Sequence, residues 1–187
     1  MQELLPQAYL IGLIVLLSGA ALVVARQMLR VRRDELTLSR LGGGNSKSTG
    51  GDPQDAASLY ELASVQLRKR LYGQAADNLK LALKRVDGDE APAEAVALIE
   101  NALGFALAAQ NKYPAAIRHY RAALKAKPDY PVALNNLAFA LEKQQKPEEA
   151  KGHYEEVLRL EPQNKTARKR LKTIERLTGL DDRASAA

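Results

Sequence analysis

Apolar positions fall into three regimes along this chain. From Leu4 to Ala25 they run on almost unbroken and without a formal charge. From about Pro53 to Thr178 they return every three or four residues, the spacing of helices with one buried face. Between these lies Gly42-Gly43-Gly44-Asn45-Ser46-Lys47-Ser48-Thr49-Gly50-Gly51, which has no apolar side chain to bury. Residues 42–52 are therefore expected to be a flexible tether. After Gly179 the pattern fades, and 179–187 is expected to be a disordered tail. The predicted fold class is all-α.

Within the helical region the pattern repeats itself. Glu100-x2-Leu103-Gly104-x2-Leu107, then Ala116-x3-Tyr120, then Pro128, returns 34 positions later as Leu134-x2-Leu137-Ala138-x2-Leu141, Ala150-x3-Tyr154 and Pro162. The leucines share one face of a first helix. Gly104 and Ala138 let a second helix approach, and Ala116 and Ala150 are the small contacts on it. Tyr120 and Tyr154 fill the space beside them, and the prolines end the second helix. Small, apolar, aromatic and proline columns all agree, and the pattern resembles the tetratricopeptide repeat (TPR).

A diverged copy lies upstream: Leu59-x2-Leu62-Ala63-x2-Gln66, then Ala75-x3-Leu79, closed by Asp87-Gly88-Asp89 instead of proline. From Leu62 to Leu103 is 41 residues, one period plus seven. The surplus predicts a longer first helix in the middle hairpin, starting near Pro92. The expected domain is 53–178: repeats at about 56–89, 97–130 and 131–164, and a capping helix at 165–178 with Ala167, Leu171, Ile174 and Leu177 in its apolar stripe.

The apolar run at 4–25 is expected to be a transmembrane anchor, because a helix of that length spans a hydrocarbon core of ~30 Å. A cleaved signal peptide would carry positive charge before the apolar stretch. Here Glu3 precedes it, and the charges Arg26, Arg30, Arg32 and Arg33 follow it. The expectation is a retained single-pass anchor, with residues 1–3 as a short tail on the far side. A basic juxtamembrane helix at 26–41 and the repeats would then lie on the cytoplasmic or stromal side.

The net charge of +6 is uneven. Arginines follow the apolar run, Arg68-Lys69-Arg70 lies in the first hairpin, and Lys165, Arg168, Lys169, Arg170, Lys172 and Arg176 crowd the last helix. A solvated helix face accounts for these clusters; basic ends held near an anionic leaflet are the alternative, ahead of nucleic-acid binding, and no nucleic-acid partner is expected. With no cysteine there is neither a disulfide nor a thiolate metal site. His119 and His153 stand one period apart, each beside a repeat tyrosine on a face expected to be exposed, without the i, i+4 spacing of metal ligands. Gly42 to Ser48 lacks the spacing of a phosphate-binding loop. No catalytic, cofactor-binding or metal site is expected, and no small-molecule substrate.

A stack of helical hairpins presents its first helices as a binding face. The residues placed there are Tyr60, Asn101 and Asn135 in one column and Ser64, Phe105 and Phe139 in the next. An amide can bond an extended peptide backbone, and a phenylalanine can cover apolar side chains. The phenylalanines can equally pack between neighbouring helices, and the two roles are compatible. The lysine- and arginine-rich clamp of chaperone-binding repeats is not apparent, although Arg68 and Lys143 lie one turn further on.

The whole layout is similar to the cyanobacterial and plastid thylakoid TPR proteins that assist photosystem I assembly or stability. The residues behind this are Tyr9 to Ala25 with the arginines after them, and Ala133-Leu134-Asn135-Asn136-Leu137-Ala138-Phe139-Ala140-Leu141-Glu142. The resemblance implies a non-enzymatic, membrane-anchored scaffold that binds photosystem I subunits or assembly factors. The alternative is a generic anchored TPR adaptor in protein export or envelope biogenesis.

Overall fold

The computed structural model describes residues 13, 15–29, 55–86 and 92–185. The chain divides into two units, Met1–Ser48 and Thr49–Ala187.

In the first unit residues 15–29 form helix α1, whose Val15, Leu16, Val23 and Met28 side chains are exposed. The expected transmembrane helix is not found: among the described residues, no helix is long and apolar enough to cross a membrane. At ~1.5 Å per residue the described helix rises roughly 22 Å, against a hydrocarbon core of ~30 Å. Its last turn also carries Arg26. The expected single-pass topology has no support among the described residues. Arg30, Arg32, Arg33 and the tether at 42–52 lie outside the described residues.

The second unit is a run of helices: α2 (Ala56–Arg68), α3 (Tyr72–Val86), α4 (Ala93–Ala109), α5 (Tyr113–Ala126), α6 (Pro131–Lys143), α7 (Pro147–Leu160) and α8 (Lys165–Ser185). Each packs chiefly on its neighbours in sequence, and first helices also touch, α2 on α4 and α4 on α6. That is the architecture of stacked hairpins. α2, α4 and α6 are the first helices, and α3, α5 and α7 the second. The core runs along the stack as alanines and leucines, with Leu79, Leu103, Leu137, Tyr120 and Tyr154 almost fully enclosed.

Local chemistry fixes the ends of these helices. The Asp55 carboxylate accepts the Ser58 N–H at the start of α2, and this bond holds its pKa below the usual carboxylate range. Asn164 does the same for α8 through the Ala167 N–H. Proline opens α6 and α7 at positions whose N–H groups have no helical acceptor. Each first helix ends on a left-handed residue: Arg70 (φ 61°), Asn111 (φ 60°) and Gln145 (φ 58°). The next N–H reaches back to close the helix, Leu71 to the Gln66 carbonyl, Lys112 to Leu107 and Lys146 to Leu141. The identical reversal places every second helix alike.

Two helix boundaries stand out. α4 begins at Ala93, a turn earlier than its counterparts in the period, which accommodates part of the seven extra residues. α8 continues to Ser185 through Gly179, where a disordered tail was expected. One glycine costs a helix only ~1 kcal/mol, and extending a formed helix needs no new nucleation.

Candidate functional site

The face built by α2, α4 and α6 holds all six predicted residues. Tyr60, Ser64, Asn135 and Phe139 are half-buried, Asn101 is buried and Phe105 is 44% exposed. The amides do not form a simple row. Asn101 accepts a hydrogen bond on Oδ1 from Asn136 Nδ2 at 2.9 Å, and its own Nδ2 points to the Tyr130 hydroxyl at 3.4 Å. Burial pushes the Tyr130 phenol up in pKa. The predicted Asn135 stands beside this network, and its Oδ1 is buried without a hydrogen-bond partner. Asn136 was therefore missed by column reasoning. The structure joins second and third repeats through a neighbouring column.

The phenylalanines differ as well. Phe105 meets Tyr72 edge to face, ring centroids 6.5 Å apart at 73°, and leaves much of its surface open. Phe139 lies under two cations, Lys143 Nζ at 5.4 Å and Arg170 Cζ at 5.2 Å from the ring centre. Arg170 is held by Glu142 at 3.4 Å, and Glu142 accepts the Tyr154 hydroxyl proton. Neither phenylalanine is a closed core residue.

Arg170 comes from α8, which column reasoning had treated only as a cap. The signal was present: Leu103, Leu137 and Leu171 continue the 34-residue period, as do Ala133 and Ala167. Ala167 and Ile174 are buried like Ala133 and Ala140. α8 is thus a fourth first helix. Lys169 extends the column of Tyr60, Asn101 and Asn135, and Thr173 extends that of Ser64, Phe105 and Phe139. Lys165, Thr166, Lys169, Arg170 and Thr173 line an open depression of about 500 Å³ on α8.

The histidines are not the exposed pair expected. Both are half-buried. His119 Nδ1 lies 2.7 Å from Glu100 Oε2. His153 has its pKa pulled down, first by burial and then by the Arg121 charge. Among the described residues no cluster of His, Cys, Asp or Glu could hold a metal ion.

The fold and this face define a tetratricopeptide-repeat protein. Family models described as "TPR repeat" and "Tetratricopeptide repeat" match residues 104–145 and 131–164. As such the chain is an interaction module and not an enzyme. Among relatives, it is 35% identical over 166 residues to uncharacterized protein ycf37 of Cyanophora paradoxa, covering 89% of this chain and 91% of that one. It is 31% identical to ycf37 of Guillardia theta, covering 73% of each. The chain therefore belongs to the ycf37 family.

It is also 35% identical over 129 residues, 69% of its length, to the chloroplastic tetratricopeptide repeat domain-containing protein PYG7 of Arabidopsis thaliana. It spans only 40% of that protein. Among solved structures, the first TPR domain of Spaghetti (RPAP3) bound to an HSP90 peptide is 26% identical with a TM-score of 0.62. The match covers 71% of this chain and 99% of that one. MamA, 23% identical with a TM-score of 0.61, covers 72% of this chain and 75% of its own and shares the fold.

Proposed function

We propose that this protein is a scaffold that holds segments of photosystem I subunits or of their assembly factors on the face of its first helices. In this reading it assists the assembly or stability of photosystem I at the thylakoid of a plastid or cyanobacterium. The observation that carries the binding role is the exposed Phe105 beside the Asn101–Asn136 amide pair, an apolar surface next to polar groups on a rigid helical frame. Aromatic anchors on rigid elements are favoured sites of protein contact. The RPAP3 domain, of the same fold, is bound to a peptide in its solved structure. The photosystem assignment rests on the resemblance of the repeat sequence Ala133 to Glu142 and on kinship with a chloroplastic TPR protein.

The test is affinity purification of the tagged full chain from thylakoids in mild detergent, beside a Phe105→Ser/Phe139→Ser variant whose helicity has been checked by circular dichroism. Mass spectrometry should find photosystem I subunits or assembly factors with the native chain and lose them with the variant. Capture of export or envelope proteins instead would shift the reading to a general adaptor. Capture unaffected by a folded variant would move the binding site off this face.

A further inference from the structure

The first-helix face changes character along the stack. At its start a cavity of about 250 Å³ opens between α2, α3 and α4, lined by Ala57, Tyr60, Val86, Ala95, Leu98 and Ile99, with no polar surface in its walls. Leu98 is 37% exposed at this site. Ala57 and Leu98 stand in the column that Thr166 continues, and Tyr60 in the column that Lys169 continues. The cavity and the depression on α8 therefore occupy the same columns of one face, two first-helix steps apart when counted from α4.

The far end is cationic. Lys143 lies over the Phe139 ring that Arg170 also covers, and Lys165 and Lys169 line the α8 depression together with Arg170; among the described residues none of the three lysines is ion-paired. The carboxylate near them, Glu142, is already engaged by Arg170 and Tyr154. An anion arriving at this end would meet three ammonium groups without competition from the protein's own acids.

Resting on the scaffold reading above, we propose that this face recognises one extended acidic protein segment at two points. An apolar side chain of the segment enters the α2–α4 cavity, and a cluster of its carboxylates pairs with Lys143, Lys165 and Lys169. Adjacent packed helices lie ~10 Å apart, so two first-helix steps correspond to roughly 20 Å, or about six residues of extended chain. The apolar anchor fixes the register, and the charges supply attraction and orientation. A cavity of this size takes one leucine or phenylalanine side chain.

The probe is a fluorescein-labelled synthetic peptide with one leucine, a six-residue Gly/Ser spacer and four aspartates, titrated into the full chain by anisotropy. Changing the peptide's leucine to serine should weaken binding about tenfold. Filling the cavity through the exposed Ala57, as Ala57→Phe, should do the same. A Lys143→Glu/Lys169→Glu double variant should lose binding by tenfold or more. Shortening the spacer to two residues should abolish the advantage of carrying both groups.

Binding indifferent to the leucine and to Ala57→Phe, or equal binding of a single-stranded DNA of the same charge, would overturn the proposal in favour of a simple cationic surface. No binding of any peptide by the native chain would also overturn it. The same variants go through the thylakoid purification. Photosystem I proteins retained by the native chain, and equally by the variants, would leave the scaffold standing and remove only this two-point recognition. A native chain that captures none would remove the scaffold reading itself.

Discussion

In the second repeat a glycine, Gly104, faces Tyr120, and in the third an alanine, Ala138, faces Tyr154. A Cβ on Gly104 would lie 2.6 Å from Tyr120 Cε1, so that ring rests directly on the backbone of α4. Tyr154 accommodates a methyl group, and its hydroxyl donates to Glu142. The second repeat has Ala108 where the third has Glu142 and offers no such acceptor. The histidines divide in the same way. His119 finds Glu100, whereas the equivalent of Glu100 in the third repeat is Leu134, and His153 is left to burial. One register thus admits two packing solutions, and each is a set of coupled choices rather than a column of independent ones.

The sharpest way to break the comparison is Gly104→Ala. Helix propensity alone would favour it by up to ~1 kcal/mol. The overlap with Tyr120 should reverse the sign, giving a net loss of about 2 kcal/mol in denaturant unfolding. Ala138→Gly in the third repeat should cost ~1 kcal/mol from propensity only. A stabilised Gly104→Ala protein would mean that the Tyr120 ring moves freely.

Next comes the amide pair. Asn101→Ala removes the acceptor of Asn136 and should cost about 1–2 kcal/mol. Asn135→Ala removes a buried oxygen with no hydrogen-bond partner and should be near neutral in the same chemical melts. Equal losses at both positions would erase the distinction between them.

Tyr154→Phe should lose about 1 kcal/mol more than Tyr120→Phe, because only Tyr154 donates to a carboxylate. Burial raises the pKa of both phenols, and in Tyr154 the carboxylate adds to it. The smallest effect is electrostatic. The folded pKa of His153 lies below its ordinary value, so at pH just under 6.5 the unfolded chain binds more protons and stability rises with pH. Melting temperature followed from pH 5 to 7 should climb, and His153→Gln should flatten part of that climb. A slope unchanged by the substitution would place its origin elsewhere.

Much of the stack was legible in the sequence, because a repeat states its own packing rule twice. Leu103 with Leu137 and Tyr120 with Tyr154 are enclosed as their columns require. What was not legible depends on contacts between columns. Asn136 reaches Asn101 across 35 residues, a pairing invisible to a rule that compares equivalent positions. Arg170 was hidden because the period was followed only as far as Pro162, although Leu171 continues it. The apolar stretch near the N-terminus was read from composition: hydropathy sums side chains over 4–25, whereas among the described residues no helix is long and apolar enough to cross a membrane, and Arg26 falls within the described segment.

Among the described residues no second helix packs on α8, so the described series stops at a half-step. In a linear array each unit is held only by its neighbours, and a terminal member with one neighbour is the first to come loose. α8 rests on α7 alone among its larger contacts, whereas α4 is gripped from both sides. Amide hydrogen exchange should therefore quicken towards the C-terminus like a fraying rope, with α4 and α5 the last to open. The lysines that α8 carries would then come and go with the rope's loose end, and whatever captures them would also whip that end tight.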